Sequence, residues 1–157
     1  MGVRASFQAV SPQIFEIIKS QVPDYRAADI SLLYPPKGQK SEGPIESGIG
    51  AWWVLQTAFN HFGPPLIHAI QGELMYQNGI DTQGEVAFDG DHYLGHVSST
   101  TTQAIAARLA TLDSDGCIQV LPSKDRSSPS VKEDLATLRT FYKKAADAGR
   151  GVLIIIA

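Results

Sequence analysis

The chain has 157 residues, a net charge of −3 with 13 Lys and Arg against 16 Asp and Glu, and 43% apolar residues. That is enough apolar material for one core, so residues 1–157 are expected to form a single domain. A nucleic-acid binder would show a basic stripe, which the scattered cations here do not form. The lone Cys117 excludes an internal disulfide and suits a reducing, cytoplasmic setting.

No apolar signal-peptide core follows Met1, and the longest apolar run, Val152 to Ala157, is far too short for a membrane span of ~20 residues. Val3, Ala5, Phe7 and Ala9 alternate with polar residues, which predicts a half-buried strand. Ser11-Pro12 then reads as a helix N-cap with proline at the first helical position. Ile14, Phe15, Ile17 and Ile18 would be the buried face of that short helix. A second helical or mixed segment is expected over Ala27 to Tyr34. The breakers of Pro35 to Gly50 predict a surface loop, which is either functional or a tolerated insertion.

The central helix is expected over Ala51 to Phe62. Trp52, Val54, Leu55, Ala58, Phe59 and Phe62 share one arc of its wheel. Gln56, Thr57, Asn60 and His61 share the other, and Trp53 falls among them. Gly63-Pro64-Pro65 breaks this helix and starts a short one, Leu66 to Gln71. From Met75 to Gly95 the turn pairs Asn78-Gly79 and Asp89-Gly90 predict hairpins, with a short strand at Val86 and Phe88. Ser98 or Ser99 caps a helix through Leu112, and Cys117 to Leu121 reads as a short strand. Ser130-Val-Lys-Glu133 has the spacing of a capping box. It opens a helix carrying Leu135, Leu138, Phe141, Tyr142 and Ala145, with Gly149 as its stop. Val152 to Ile156 lacks polar alternation, so it should be a central strand buried on both faces. The expected fold is α+β, a mixed sheet with the first and last strands near its centre and four or five flanking helices.

Four segments in order resemble one family. Trp52-Trp-Val-Leu55 starts a helix as a tryptophan-helix motif does. Pro65-Leu-Ile-His-Ala-Ile-Gln-Gly-Glu73 resembles a proline–leucine–alanine–glycine motif. Tyr93-Leu-Gly-His-Val-Ser98 resembles an aromatic-leucine lead-in to the capped helix Ala104 to Leu112. Phe141 to Gly149 with the terminal strand resembles the closing helix and strand. Together they resemble the YfbM-like family, a bacterial domain of unknown function. The resemblance implies a compact α+β fold in the cytoplasm and supplies no reaction and no catalytic residues. The chain departs from the family pattern in carrying Gln56 where a histidine is frequent, and Gly50 or Ala51 where a basic residue is.

Trp53 is the leading binding candidate, because an indole on a polar arc offers a large apolar surface with one donor. Gln56 and Asn60 would stand beside it on the same face. The alternative is that Trp53 packs beneath the Pro35 to Gly50 loop or the N-terminal helix. His61 and His68 flank the proline bend and could converge with Glu73 as an acid–base pair, or be an ordinary surface pair. Asp81, Glu85, Asp89, Asp91, His92 and His96 hold metal-ligating types, yet Asp89-Gly-Asp-His reads first as a turn. No metal and no cofactor are therefore expected. Cys117 has no activating context, and no nucleophile elbow, P-loop or dinucleotide fingerprint occurs. The reading that follows is a protein-binding module, antitoxin- or immunity-like in one form, with a protein partner, no nucleic acid and no membrane. Its alternative is a small-molecule enzyme or ligand sensor with a His/carboxylate pocket.

Overall fold

The structure, a computed structural model, describes residues 4–13, 16, 45–77, 80–81 and 93–156. The apolar face expected at Ile14 to Ile18, the Ala27 to Tyr34 segment, most of the loop after Pro35, and the strand at Val86 and Phe88 lie outside them.

Six described strands form one sheet: β1 (Ala5–Val10), β2 (Ile45–Ile49), β3 (Leu74–Gln77), β4 (Ile80–Asp81), β5 (Tyr93–Val97) and β6 (Gly151–Ile156). Their order is β2-β1-β6-β5-β3-β4, so the first and last strands lie side by side inside the sheet. Every described pairing is antiparallel, which corrects the expected mixed sheet. β6 runs opposite in direction to both of its neighbours, β1 and β5.

Register explains the burial. Ala5, Phe7 and Ala9 pair with Ile156, Ile154 and Val152, which pair in turn with Tyr93, Gly95 and Val97. All point to one face, and all but Gly95 join the main apolar core. Leu153 and Leu94 point the other way and are also buried. The all-apolar run of β6 is thus a strand covered on both faces, as its lack of alternation predicts.

Five described helices accompany the sheet: α1 (Trp52–Phe62), α2 (His68–Gln71), α3 (Ser99–Thr111), α4 (Ser114–Gln119) and α5 (Pro129–Asp147). Helix α1 buries Trp52, Leu55, Ala58 and Phe59, and α5 buries Val131, Leu135, Leu138, Phe141, Tyr142 and Ala145. Both sets recur at three- and four-residue spacing, the apolar stripe of a helix facing a core. Ser98 caps α3 by accepting from the Thr101 N–H at 3.2 Å. Gly149 ends α5 at φ 68°; its N–H bonds the Ala146 carbonyl and that of Arg150 bonds Ala145, the paired bonds of a Schellman stop.

Three local expectations fail. Ile45–Ile49 is a strand paired with β1, not loop, because its backbone completes the sheet edge despite Pro44 and Gly48. Residues 114–119 are helical where a strand over Cys117 to Leu121 was expected. There Asp113 accepts from the Asp115 and Gly116 N–H groups and so caps the start of a helix. Helix α5 starts one residue before the expected box. Pro129 takes the first turn and Ser128 makes no side-chain cap bond, in keeping with proline's fixed φ and missing donor.

Candidate functional site

The motif Pro65 to Glu73 folds into a joint between α1, β5 and α3. Gly63, at φ 74°, ends α1, and the Pro64-Pro65 peptide is cis. Residues 64–67 form a turn, so α2 is shorter than the expected Leu66 to Gln71. Helix α2 stops at Gly72, whose φ of 86° is a left-handed conformation that disfavours a side chain. A β-carbon there would also lie 2.7 Å from the His96 amide nitrogen. Gly95 fits the same contact from the other side, where a β-carbon would stand 2.3 Å from the Gln71 carbonyl oxygen. The glycines of both motifs therefore let α2 press directly onto β5. Two buried tyrosines lock it: the Tyr93 hydroxyl donates to the Gln71 carbonyl, and the Tyr142 hydroxyl donates to that of Ala69. Burial raises both phenol pKa values well above their ordinary range, so each stays a neutral donor.

Glu73 completes the joint. Its backbone N–H bonds the His96 carbonyl at 2.8 Å. One carboxylate oxygen accepts from the Ser98 N–H and the other from the Thr101 hydroxyl, both at 2.8 Å. A carboxylate at the N-terminus of α3 satisfies an orphan donor and opposes the helix dipole. Burial works to raise its pKa. The hydrogen bonds from Ser98 and Thr101, with the nearby His68, outweigh that and hold it below the ordinary 4.5. His68 is half-buried, with Nδ1 3.3 Å from the Gly72 carbonyl. The structure thus brings His68 and Glu73 into electrostatic range, while Glu73 serves as a helix cap. His61 is exposed and sets its ring edge-on to Phe62 at 5.4 Å. Among the described residues no hydrogen bond or ion pair joins it to His68 or Glu73.

The tryptophan turn is built differently. Trp52 is buried and Trp53 is 53% exposed. The two indoles meet edge to face at 5.5 Å and 82°. Helix α1 is held at its start by Asp134 of α5, whose carboxylate accepts from the Ala51 N–H at 2.9 Å. Gln56 departs from the expected polar arc. It is 2% exposed, and its amide nitrogen donates to Asn60 Oδ1 at 2.8 Å and to the Ile67 carbonyl at 3.1 Å. The wheel places Gln56 beside the apolar arc, and the chain returning from the proline bend covers it. Asn60 remains exposed while accepting that bond. The surface beside Trp53 is therefore provided by Thr57, Asn60 and His61, all exposed, and not by the Gln56 amide.

Among the described residues no group of three or more His, Cys, Asp or Glu is placed to hold a metal. Glu85, Asp89, Asp91 and His92 lie outside them. His96 lies in β5 and is 8% exposed. Cys117 is buried; burial raises its thiol pKa and Arg139 opposes the rise only partly, which disfavours the thiolate.

Two further charged residues act as ties that no local pattern announced. Asp134 reaches the start of α1, as above. Arg139 donates from Nε to the Leu109 carbonyl and from Nη2 to that of Leu112, both at 2.8 Å, at the end of α3. Acid at helix starts and base at a helix end each match the helix dipole. The partners lie in distant sequence, so only the repeated placement of charge opposite helix ends could have hinted at them.

The fold is that of an α+β protein in which an antiparallel sheet packs one face against helices. It is similar over 98% of the chain, and 99% of the other chain, to the crystal structure of YfbM from Escherichia coli, a protein of unknown function, with a TM-score of 0.57 and 14% identity. The fold is thus YfbM-like. No family model and no curated protein matches the chain.

Proposed function

We propose that this protein is a non-enzymatic protein-binding module, with residues 1–157 acting as one domain and Trp53 as its anchor. The observation that carries the reading is a tryptophan more than half exposed on a helix that is otherwise firmly seated. Its neighbour Trp52 is in the core, Asp134 holds the helix start, and Gln56 ties the helix to the bend. An indole presented this way binds with little ordering cost, which is why tryptophan is enriched among interface hot spots. Thr57, Asn60 and His61 supply a polar rim around it. A net charge of −3 favours a protein partner over nucleic acid. Among the described residues no helix is long and apolar enough to cross a membrane. An antitoxin- or immunity-like role in the cytoplasm is one concrete form of this reading.

The competing enzyme or sensor built on His61, His68 and Glu73 has less support, because both Glu73 oxygens are engaged in capping α3. The test begins with capture of a partner by the wild-type protein from bacterial lysate. It continues with calorimetric titration of the purified partner. Replacing a hot-spot tryptophan costs ~2 kcal/mol or more, so Trp53→Ala should weaken binding by roughly thirtyfold. An unchanged affinity would remove Trp53 from the interface.

A further inference from the structure

The face of the sheet opposite the main core carries a pocket that the Trp53 reading does not use. Gln8, Leu153, His96 and Leu74 form one cross-strand row on that face. His96 within the row is buried, whereas Leu74 at its end is 37% exposed. Beside them lies a pocket of about 270 Å³, with Val10, Pro12 and Leu74 as an apolar wall and His96, Glu16 and Ser99 as a polar edge. Gly151 lines it where β6 presses close on β5: a β-carbon there would stand 3.2 Å from His96 Nε2 and 2.6 Å from the Val97 carbonyl oxygen. The volume lies just below the roughly 300–1,000 Å³ of drug-sized pockets, which points to a small ligand.

Charge decides the class. The pocket touches Ser98 and Ser99, where α3 begins. A free helix start would attract an anion. Here the Glu73 carboxylate already holds the Ser98 N–H and the Thr101 hydroxyl. Glu16 adds a second carboxylate at the rim, and no Lys or Arg is among the described lining residues. An incoming anion would meet the Glu16 carboxylate, with the Glu73 carboxylate already capping the helix start behind Ser98. A cation meets acceptors instead, since an ammonium has three donors and the Glu16 carboxylate and Ser99 hydroxyl accept.

We propose that this pocket binds a small organic cation of the alkylamine class. Its ammonium lies against Glu16 and Ser99, and its carbon chain packs on Val10, Pro12 and Leu74. The site is independent of the Trp53 face, so either can fail without the other.

The test is an amide-resolved NMR titration of the whole chain at neutral pH with three probes: n-butylamine, n-butyrate and ammonium chloride. Butylamine should shift the amides of Leu74, Ser99 and Gly151 and reach saturation. Butyrate, of the same length and opposite charge, should not. Ammonium should shift them less, because it has no chain for the apolar wall. Glu16 is exposed, so Glu16→Gln should fold normally and weaken the amine by about fivefold, the scale of one exposed charge pair. Leu74→Ser should weaken butylamine and leave ammonium unchanged. Saturable binding of butyrate equal to that of the amine would overturn the proposal. So would an amine response that never saturates, or one that Glu16→Gln and Leu74→Ser both leave intact.

Discussion

The proline–glycine joint and the tryptophan turn are adjacent in the chain, and both drew attention as sequence, yet they spend their side chains in opposite ways. In the joint the glycines, the tyrosines and the glutamate are consumed internally. Gly72 and Gly95 permit contact, Tyr93 and Tyr142 pin α2, and Glu73 caps α3. In the tryptophan turn one large apolar residue is left facing water while its neighbours hold the helix still. A histidine or carboxylate in a motif is therefore no guide to chemistry until its hydrogen bonds are accounted for. An exposed tryptophan on an anchored helix, by contrast, keeps more than half of a large apolar side chain accessible to a partner.

Substitutions that separate the two regions should rank as follows. Truncation before Val152 removes a strand paired on both sides. It should abolish cooperative unfolding followed by circular dichroism, and a sharp native-like melt would contradict the topology. Gly95→Ala forces a β-carbon to within 2.3 Å of the Gln71 oxygen. A loss of roughly 3 kcal/mol or more is expected from chemical denaturation, in the range reserved for strained or overpacked sites. Trp52→Ala should cost about 3 kcal/mol as a buried aromatic. Trp53→Ala should stay within about 0.5 kcal/mol, as exposed positions do. Equal losses at the two tryptophans would erase the comparison.

Glu73→Gln should cost about 1 kcal/mol at neutral pH, the usual worth of a helix cap. Its pH dependence follows from the lowered carboxyl pKa. The ionised form is favoured in the folded state, so its contribution is complete above the unfolded value near 4.5 and fades as pH falls through the folded value. Wild type and Glu73→Gln should therefore differ at pH 7 and converge in acid. A gap that stays constant down to strong acid would show that the carboxylate charge is not what caps α3.

Much of this fold was legible in the sequence because its largest elements are locally coded. The alternation of β1, the unbroken apolar run of β6 and the stripes of α1 and α5 each state which side is buried. What escaped was coded at a distance. Strand β2 is recognised only by the β1 edge it completes, since Gly48 and the preceding proline look like loop. Helix α4 carries Gly116 inside it and depends on Asp113 as its cap, a role indistinguishable in sequence from a turn. A wheel puts Gln56 on the polar arc because it gives an angle and not what folds back onto it. Glu73 looks in sequence like half of an acid–base pair because its partners Ser98 and Thr101 lie 25 and 28 residues away. Among the candidate site residues, the helix angle put both Trp53 and Gln56 on the polar arc, and only the tertiary structure separates the exposed Trp53 from the buried Gln56 and shows Glu73 engaged.

The most direct measurement is a calorimetric titration of the captured partner against wild type, Trp53→Ala and Glu73→Gln. The account predicts that Trp53→Ala loses roughly thirtyfold in affinity while Glu73→Gln, though less stable, binds as wild type does. Loss of binding in Glu73→Gln with Trp53→Ala unaffected would contradict it and move the functional surface to the joint.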